Sequence, residues 1–227
     1  MTYAKQGDID PILAKLMKLG EIGKADATVR SFGLDDNYYN YLDTTGAMVT
    51  IPTGADSVDS LSGAGGIYRR GIGLAIGATG GGKSMFMSQV AASALVCGLS
   101  VAYISLEIDP DMIGRRLMSA LSGLPLDLVM RDYRWARNII EARGNKRGLF
   151  KQCKMPGLGT TVLDIKRQLK IWMDELGINA FDLIVVDYVD RLAGVNYIPK
   201  ESSGYQLGEV CMQALRDLAE EHDGVVW

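Results

Sequence analysis

The sequence predicts an α/β fold, a mostly parallel sheet with helices on both faces. Three observations carry that prediction. From about residue 72 onward, short apolar runs alternate with longer stretches of helical period. One of those runs, Leu183-Ile184-Val185-Val186, has no polar alternation, the pattern of a strand buried on both sides. Strands separated by helices also require crossover connections, which parallel sheets use.

Taken in order, residues 1–50 read as a helical appendage or linker and 51–227 as the core. Asp10-Pro11 is a helix start, with the carboxylate as cap and proline in the first turn, where its missing N–H costs nothing. Ile12, Leu13, Leu16, Met17 and Leu19 follow at helical spacing, and Gly20 or Gly23 ends the run. Such a helix either packs on its own core or docks on a neighbouring subunit. Beyond it, a strand is expected at 73–77, a helix at 83–97 and a strand at 101–106. A helix from about Asp111, a strand at 148–153, a helix at 162–176 and the strand at 183–186 come next. A helix over 206–221 then precedes Val225-Val226-Trp227, which reads as the start of one more strand.

Composition narrows the function. At 48% hydrophobic residues the 227-residue chain can bury a core without disulfides or metals. Cys97, Cys153 and Cys211 are odd in number and far apart, which argues against a disulfide scaffold or a cysteine zinc site. A lone His222, expected at a helix end facing solvent, excludes chemistry that needs two histidines. No apolar run reaches membrane-spanning length, so the expectation is a cytoplasmic protein without a membrane partner. The net charge of −3 argues against a protein that coats nucleic acid, but leaves room for a local basic groove.

The strongest chemical signal is Gly77-Ala78-Thr79-Gly80-Gly81-Gly82-Lys83-Ser84, a full GxxxxGK[ST] match between an expected strand and an expected helix. Glycines let successive backbone N–H groups turn toward a phosphate, and the helix start adds its positive dipole end. Lys83 then reaches the β/γ-phosphates of ATP or another nucleoside triphosphate, and Ser84 offers its hydroxyl to Mg²⁺. Two acids close strands. Asp187 ends the buried run and is the natural Mg²⁺ holder, with Asp182 and Asp190 read as solvated loop acids. Glu107 ends the strand at 101–106, where a carboxylate can activate water. Its rival Asp109 fits better as a cap for the helix after Pro110. Met85 and Met87 read as core filler.

Together these motifs resemble the RecA-like ATPase core of DnaB-type replicative helicases, in a phage-type or divergent member. Ile51-Pro52-Thr53-Gly54, Asp59 and Gly65-Gly66 are similar to that family's lead-in. Ser105-Leu106-Glu107 with Ile113, Arg116 and Leu117 looks like its SLE motif, in which the glutamate is the catalytic base. Thr160-Thr161, Asp164-Ile165, the run ending in Asp187-Tyr188, and 214–219 continue the likeness. Where the family often has Gln-Leu, Val189-Asp190-Arg191-Leu192 stands instead. The resemblance implies a ring, typically a hexamer, around single-stranded DNA, with primase or other replisome proteins as further partners. It also places 225–227 in a central strand, so that the sequence is expected to be C-terminally incomplete. A RecA- or KaiC-type ATPase, a small-molecule kinase and a nucleotide-binding module without turnover are the alternatives.

Two regions are weighed for DNA. The resemblance puts the stretch after Asp187 in the central channel, where Arg191 and Lys200 are the cations. Residues 131–154 carry a charge of +6 against −9 for the remainder, with Tyr133 and Trp135 among them. That segment reads either as a phosphate surface or, preferred, as a solvated helix face with its aromatics packed inward.

Overall fold

A computed structural model describes residues 50–78, 80–143, 148–157, 159–192 and 204–227, without the side chains of 204–207. The expected appendage at 1–50, apart from Thr50, lies outside the described residues, as do Thr79, Lys146, Arg147 and Lys200.

The main sheet has four parallel strands in the order β4-β3-β5-β6. These are β3 (Val101–Ser105), β4 (Phe150–Lys154), β5 (Leu183–Asp187) and β6 (Val225–Val226). A two-stranded antiparallel ribbon, β1 (Thr50–Ile51) with β2 (Ile67–Tyr68), precedes them and encloses α1 (Asp56–Leu61). The crossover helices are α2 (Lys83–Val96), α3 (Pro110–Ser122), α4 (Leu126–Arg131), α5 (Tyr133–Ala142), α6 (Val162–Leu176) and α7 (Gly204–Glu221). Side-chain alternation along the strands builds two cores. Ala102, Ile104, Ile184 and Val186 face α6 and α7, through Ile165, Leu169, Leu215 and Leu218. Val101, Tyr103, Leu183 and Val185 face α2 and α3, through Val90, Ala94, Ile113 and Leu117. Helices therefore cover both faces, as the patterning requires. Among the described residues no helix is long and apolar enough to cross a membrane.

Local chemistry explains the element ends. Thr161 and Asp164 form a reciprocal capping box at the start of α6, and Gly177 closes that helix in the left-handed region at φ 66°. The lead-in folds around one carboxylate. Asp59 accepts from the Thr53 N–H and hydroxyl, both at 2.8 Å, and from the Gly54 N–H at 3.1 Å.

Several expectations need correction. The stretch 73–77 does not form a strand. Ile72 alone bridges Val226 in parallel, Gly73 N–H reaches Val226 O, and β6 offers no further rungs. With no partner among the described residues, Leu74 and Ile76 stand exposed, Ile76 at 87%. Even so, β6 lies between β5 and the segment that leads to the glycine loop, as the resemblance implies. Asp109 occupies the cap position of α3 but makes no cap bond. Its carboxylate takes the Lys154 ammonium at 2.7 Å instead. His222 is buried at 8% exposure, and its Nδ1 accepts the Phe181 N–H at 2.9 Å, since the turn after α7 folds it under β5. Asp182 is structural. It accepts from the Ser100 N–H and hydroxyl and pairs with Arg69 at 2.7 Å, joining β3, β5 and the 69–70 turn. Burial opposes its charge, but the Ser100 bonds and Arg69 prevail and hold its pKa below the ordinary value. Met87 is core, whereas Met85 is exposed because it lies on the other side of α2.

Candidate functional site

The site lies at the carboxyl edge of β3 and β5 and at the start of α2. Gly80 and Gly82 take φ of +77° and +86°, conformations that disfavour a side chain, and a Cβ on either meets open space. The cradle is therefore shaped by backbone and left uncovered. Gly81 N–H donates to Ala78 O at 3.0 Å and tightens the turn. Lys83 Nζ donates to Gly77 O at 2.7 Å and Ala78 O at 3.0 Å, so the ammonium folds over the loop that a phosphate would enter. The cap residue of α2, Gly82, offers no side chain to it, and no acid sits in its first turn. Its first N–H groups are left for an anion. These features fit a nucleotide's phosphates.

β3 and β5 run in register, with Ser105 opposite Asp187. Glu107 therefore follows β3 at the same edge where Asp187 ends β5, and Leu106 N–H is tied to Asp187 O at 2.7 Å. Asp187 is 5% exposed, and its Oδ2 accepts the Tyr103 hydroxyl at 3.0 Å. Burial first, and then the Asp187 charge, raise the Tyr103 pKa far above its ordinary value, so the phenol remains a donor. Sequence reasoning missed Tyr103. Its signal was a hydroxyl inside an otherwise apolar strand, which must find a partner.

Glu107 is exposed just past β3. Ser105 shapes its backbone, because that hydroxyl accepts the N–H groups of Glu107 at 3.2 Å and Ile108 at 2.7 Å. Leu106, buried, pins the turn between them. Arg191, in a single 3-10 turn at Val189–Arg191, swings back toward Glu107 and places Nη2 3.9 Å from Oε1. Asp187 and Glu107 thus stand at the same edge of the sheet, and Arg191 comes to Glu107 rather than standing apart from it, while Thr79 and Lys200 lie outside the described residues.

In its described residues the basic segment is a solvated face. Arg131 meets Asp127 at 4.0 Å, Arg134 meets Asp132 at 2.9 Å and Arg137 meets Glu141 at 2.6 Å. Arg143 donates to the carbonyls of Leu121 and Ser122, and Lys151 pairs with Glu175. The inward packing of its aromatics does not hold. Tyr133 is half exposed and Trp135 64% exposed, since α5 turns Ala136 and Ile140 to the core instead.

A family model described as an AAA domain matches residues 55–227. The chain belongs to the AAA domain family. Membership implies nucleotide binding, in agreement with the glycine cradle. A comparison with curated proteins finds no match. Among solved structures, the chain resembles that of a DnaB-like replicative helicase described together with its interactions with primase. Identity is 18% and the TM-score 0.60, over 96% of this chain and 52% of that one. It also resembles a second structure, described as an ATPase domain, at 17% identity and a TM-score of 0.57, over 87% of this chain and 70% of that one. These likenesses show the shared RecA-like fold. The chain spans about half the length of the helicase it matches.

Proposed function

We propose that this AAA domain is the motor of a replicative-type DNA helicase that hydrolyses ATP to move along single-stranded DNA. The observation that carries the reading is the meeting of three groups at one sheet edge. They are the glycine cradle with Lys83, the buried Asp187, and Glu107 just past Ser105, the register partner of Asp187.

In this reading Gly77, Ala78, Thr79, Gly80, Gly81 and Gly82 wrap the phosphates, and Lys83 exchanges its two carbonyl partners for β/γ-phosphate oxygens. Ser84 and Asp187 hold Mg²⁺, an ion that needs only one or two protein ligands beside phosphate oxygens. Bound Mg²⁺ neutralises charge that develops on the phosphates. Tyr103 fixes the rotamer of Asp187, leaving its Oδ1 for the metal site. Glu107 takes a proton from the attacking water. Arg191 and Lys200 serve the DNA backbone through phosphate contacts that read no sequence. A homo-oligomeric ring, typically a hexamer, supplies the neighbour's half of each site. The helicase it resembles was described with primase, so a primase is the first further partner to test. The setting is the cytoplasm.

The test is ATP turnover of the full-length protein with and without single-stranded DNA, beside a Glu107→Gln variant. Turnover should rise with DNA and fall at least ~100-fold in the variant, while nucleotide binding persists. Full turnover in the variant would remove Glu107 as base, and absence of DNA stimulation would remove the helicase reading.

A further inference from the structure

Glu107 and Arg191 lie on different connections, yet they face each other across 3.9 Å. The guanidinium is placed by its surroundings. Its Nε donates to Tyr188 Oη at 3.1 Å, and its Cζ lies 5.4 Å from the centroid of that ring. Gly157 packs closely under both Leu106 and Arg191, since a Cβ there would fall 2.9 Å from Leu106 O, 3.0 Å from Arg191 Nη1 and 3.2 Å from Cδ. The hydrogen bond to Tyr188 comes first among the causes that raise the Arg191 pKa. Arg191 therefore has a seat built from Tyr188 and Gly157, and that seat points it at the carboxylate.

We propose that Arg191 is a restraining residue, a positioning residue that holds Glu107 in an unstimulated arrangement until a phosphodiester takes the guanidinium. The inference rests on the reading of Glu107 as the base. The carboxylate oxygen that faces a guanidinium does not at the same time face a water to be deprotonated. The restraint is also light. The two side chains are 41% and 50% exposed, and their separation exceeds a hydrogen bond. An exposed pair of this kind shifts an equilibrium by about five-fold at most. A phosphate accepts the planar fork in two parallel bonds, which the present contact does not offer the guanidinium. Exchange of carboxylate for phosphate is thus downhill, and it frees Glu107 when nucleic acid arrives.

The experiment compares wild type, Arg191→Gln and Arg191→Lys in the full-length protein, with no DNA and with saturating oligo-dT. Arg191→Gln should raise kcat without DNA by about two- to five-fold, leave the KM for ATP in place and lower the stimulation ratio by the same factor. Arg191→Lys, with charge but no fork, should fall between the two. A merely structural role would not raise turnover. Unchanged or reduced kcat without DNA in Arg191→Gln overturns the restraint. A thermal-melting cycle over Arg191→Gln, Glu107→Gln and the double variant needs no turnover. It should depart from additivity by about 1–3 °C, and additive melting overturns the pairing. Absence of DNA stimulation in the wild type would remove the helicase reading and the phosphodiester trigger, leaving the melting cycle to decide the pairing.

Discussion

Replacing Tyr103 by Phe removes one hydroxyl and nothing else from the space between β3 and β5. That hydroxyl is a 3.0 Å donor to Asp187 Oδ2 within the core, and the carboxylate is 5% exposed. Ser88 and Arg116 also act on the phenol and favour its ionised form, but burial and Asp187 outweigh them. A hydrogen bond to a charged group contributes about 1.5–3 kcal/mol, and loss of the donor leaves a buried acceptor unpaired. In a domain of this size each kcal/mol moves Tm by about 2–4 °C, so Tyr103→Phe should melt about 3–12 °C lower. The second effect is specific to the site. In the proposed Mg²⁺ site, Asp187 with Oδ2 released can rotate, and loss of such a supporting bond weakens metal affinity by about 10- to 100-fold. Differential scanning fluorimetry gives the first quantity. Titration with a fluorescent ATP analogue across a Mg²⁺ series gives the second. If Tm falls while the Mg²⁺ requirement stays fixed, Tyr103 is a core residue and its assignment as the orienter of Asp187 is wrong.

Three further outcomes follow from the same structure. Burial first lowers the His222 pKa, with Lys166 adding to the effect and Glu221 opposing it. The unfolded chain therefore binds the proton more readily. Stability is whole above about pH 6.5 and is lost as pH falls from there through the folded value. Melting curves from about pH 8 to 5 should show this slope, and His222→Gln should flatten it. Gly148→Ala should destabilise by about 3 kcal/mol or more, because a Cβ there would lie 1.6 Å from Leu99 O and force the entry to β4 apart. Gly114→Ala should do the opposite, with a gain of about 0.5–1 kcal/mol, and urea titrations of the two variants check both outcomes. Gly114 lies inside α3, and its nearest neighbour, Gln152 Nε2, would be 3.6 Å from the new methyl.

The pattern of what could be read from the sequence has a physical cause. Elements such as α6 and β5 are written locally. Thr161 and Asp164 cap each other, Gly177 stops the helix, and the unbroken apolar run of β5 fits only a strand covered on both faces. The glycine loop is local as well, because positive φ at Gly80 and Gly82 is a property of those residues. What the sequence hides is partnership. Residues 73–77 have the composition of a strand, but a ladder needs a second backbone, and β6 supplies one rung beside Ile72. His222 and Asp182 look like solvent-facing residues until the fold sets them against the Phe181 N–H and the Ser100 N–H. Glu107 and Asp187 are separated by 80 positions, and only the register of Ser105 with Asp187 brings them to the same sheet edge.

Arg191 is the extreme case of this. By its place after the second acidic strand, sequence reasoning gave it to the nucleic acid. Its geometry gives it to Glu107, the proposed base. Both assignments hold if the guanidinium is the part that changes hands. A cation seated on Tyr188 and Gly157 keeps its position while its anion is exchanged, so the phosphate need not reach Glu107 to act on it. Gly157 then becomes as informative as Arg191 itself. Gly157→Ala places a methyl 3.0 Å from Nη1 and 2.9 Å from Leu106 O, crowding the seat while leaving both charged residues in the sequence. Its turnover without DNA should rise in the same direction as that of Arg191→Gln. A Gly157→Ala protein that folds, but whose turnover remains as tightly restrained as the wild type's, would show that the seat has no part in holding the base.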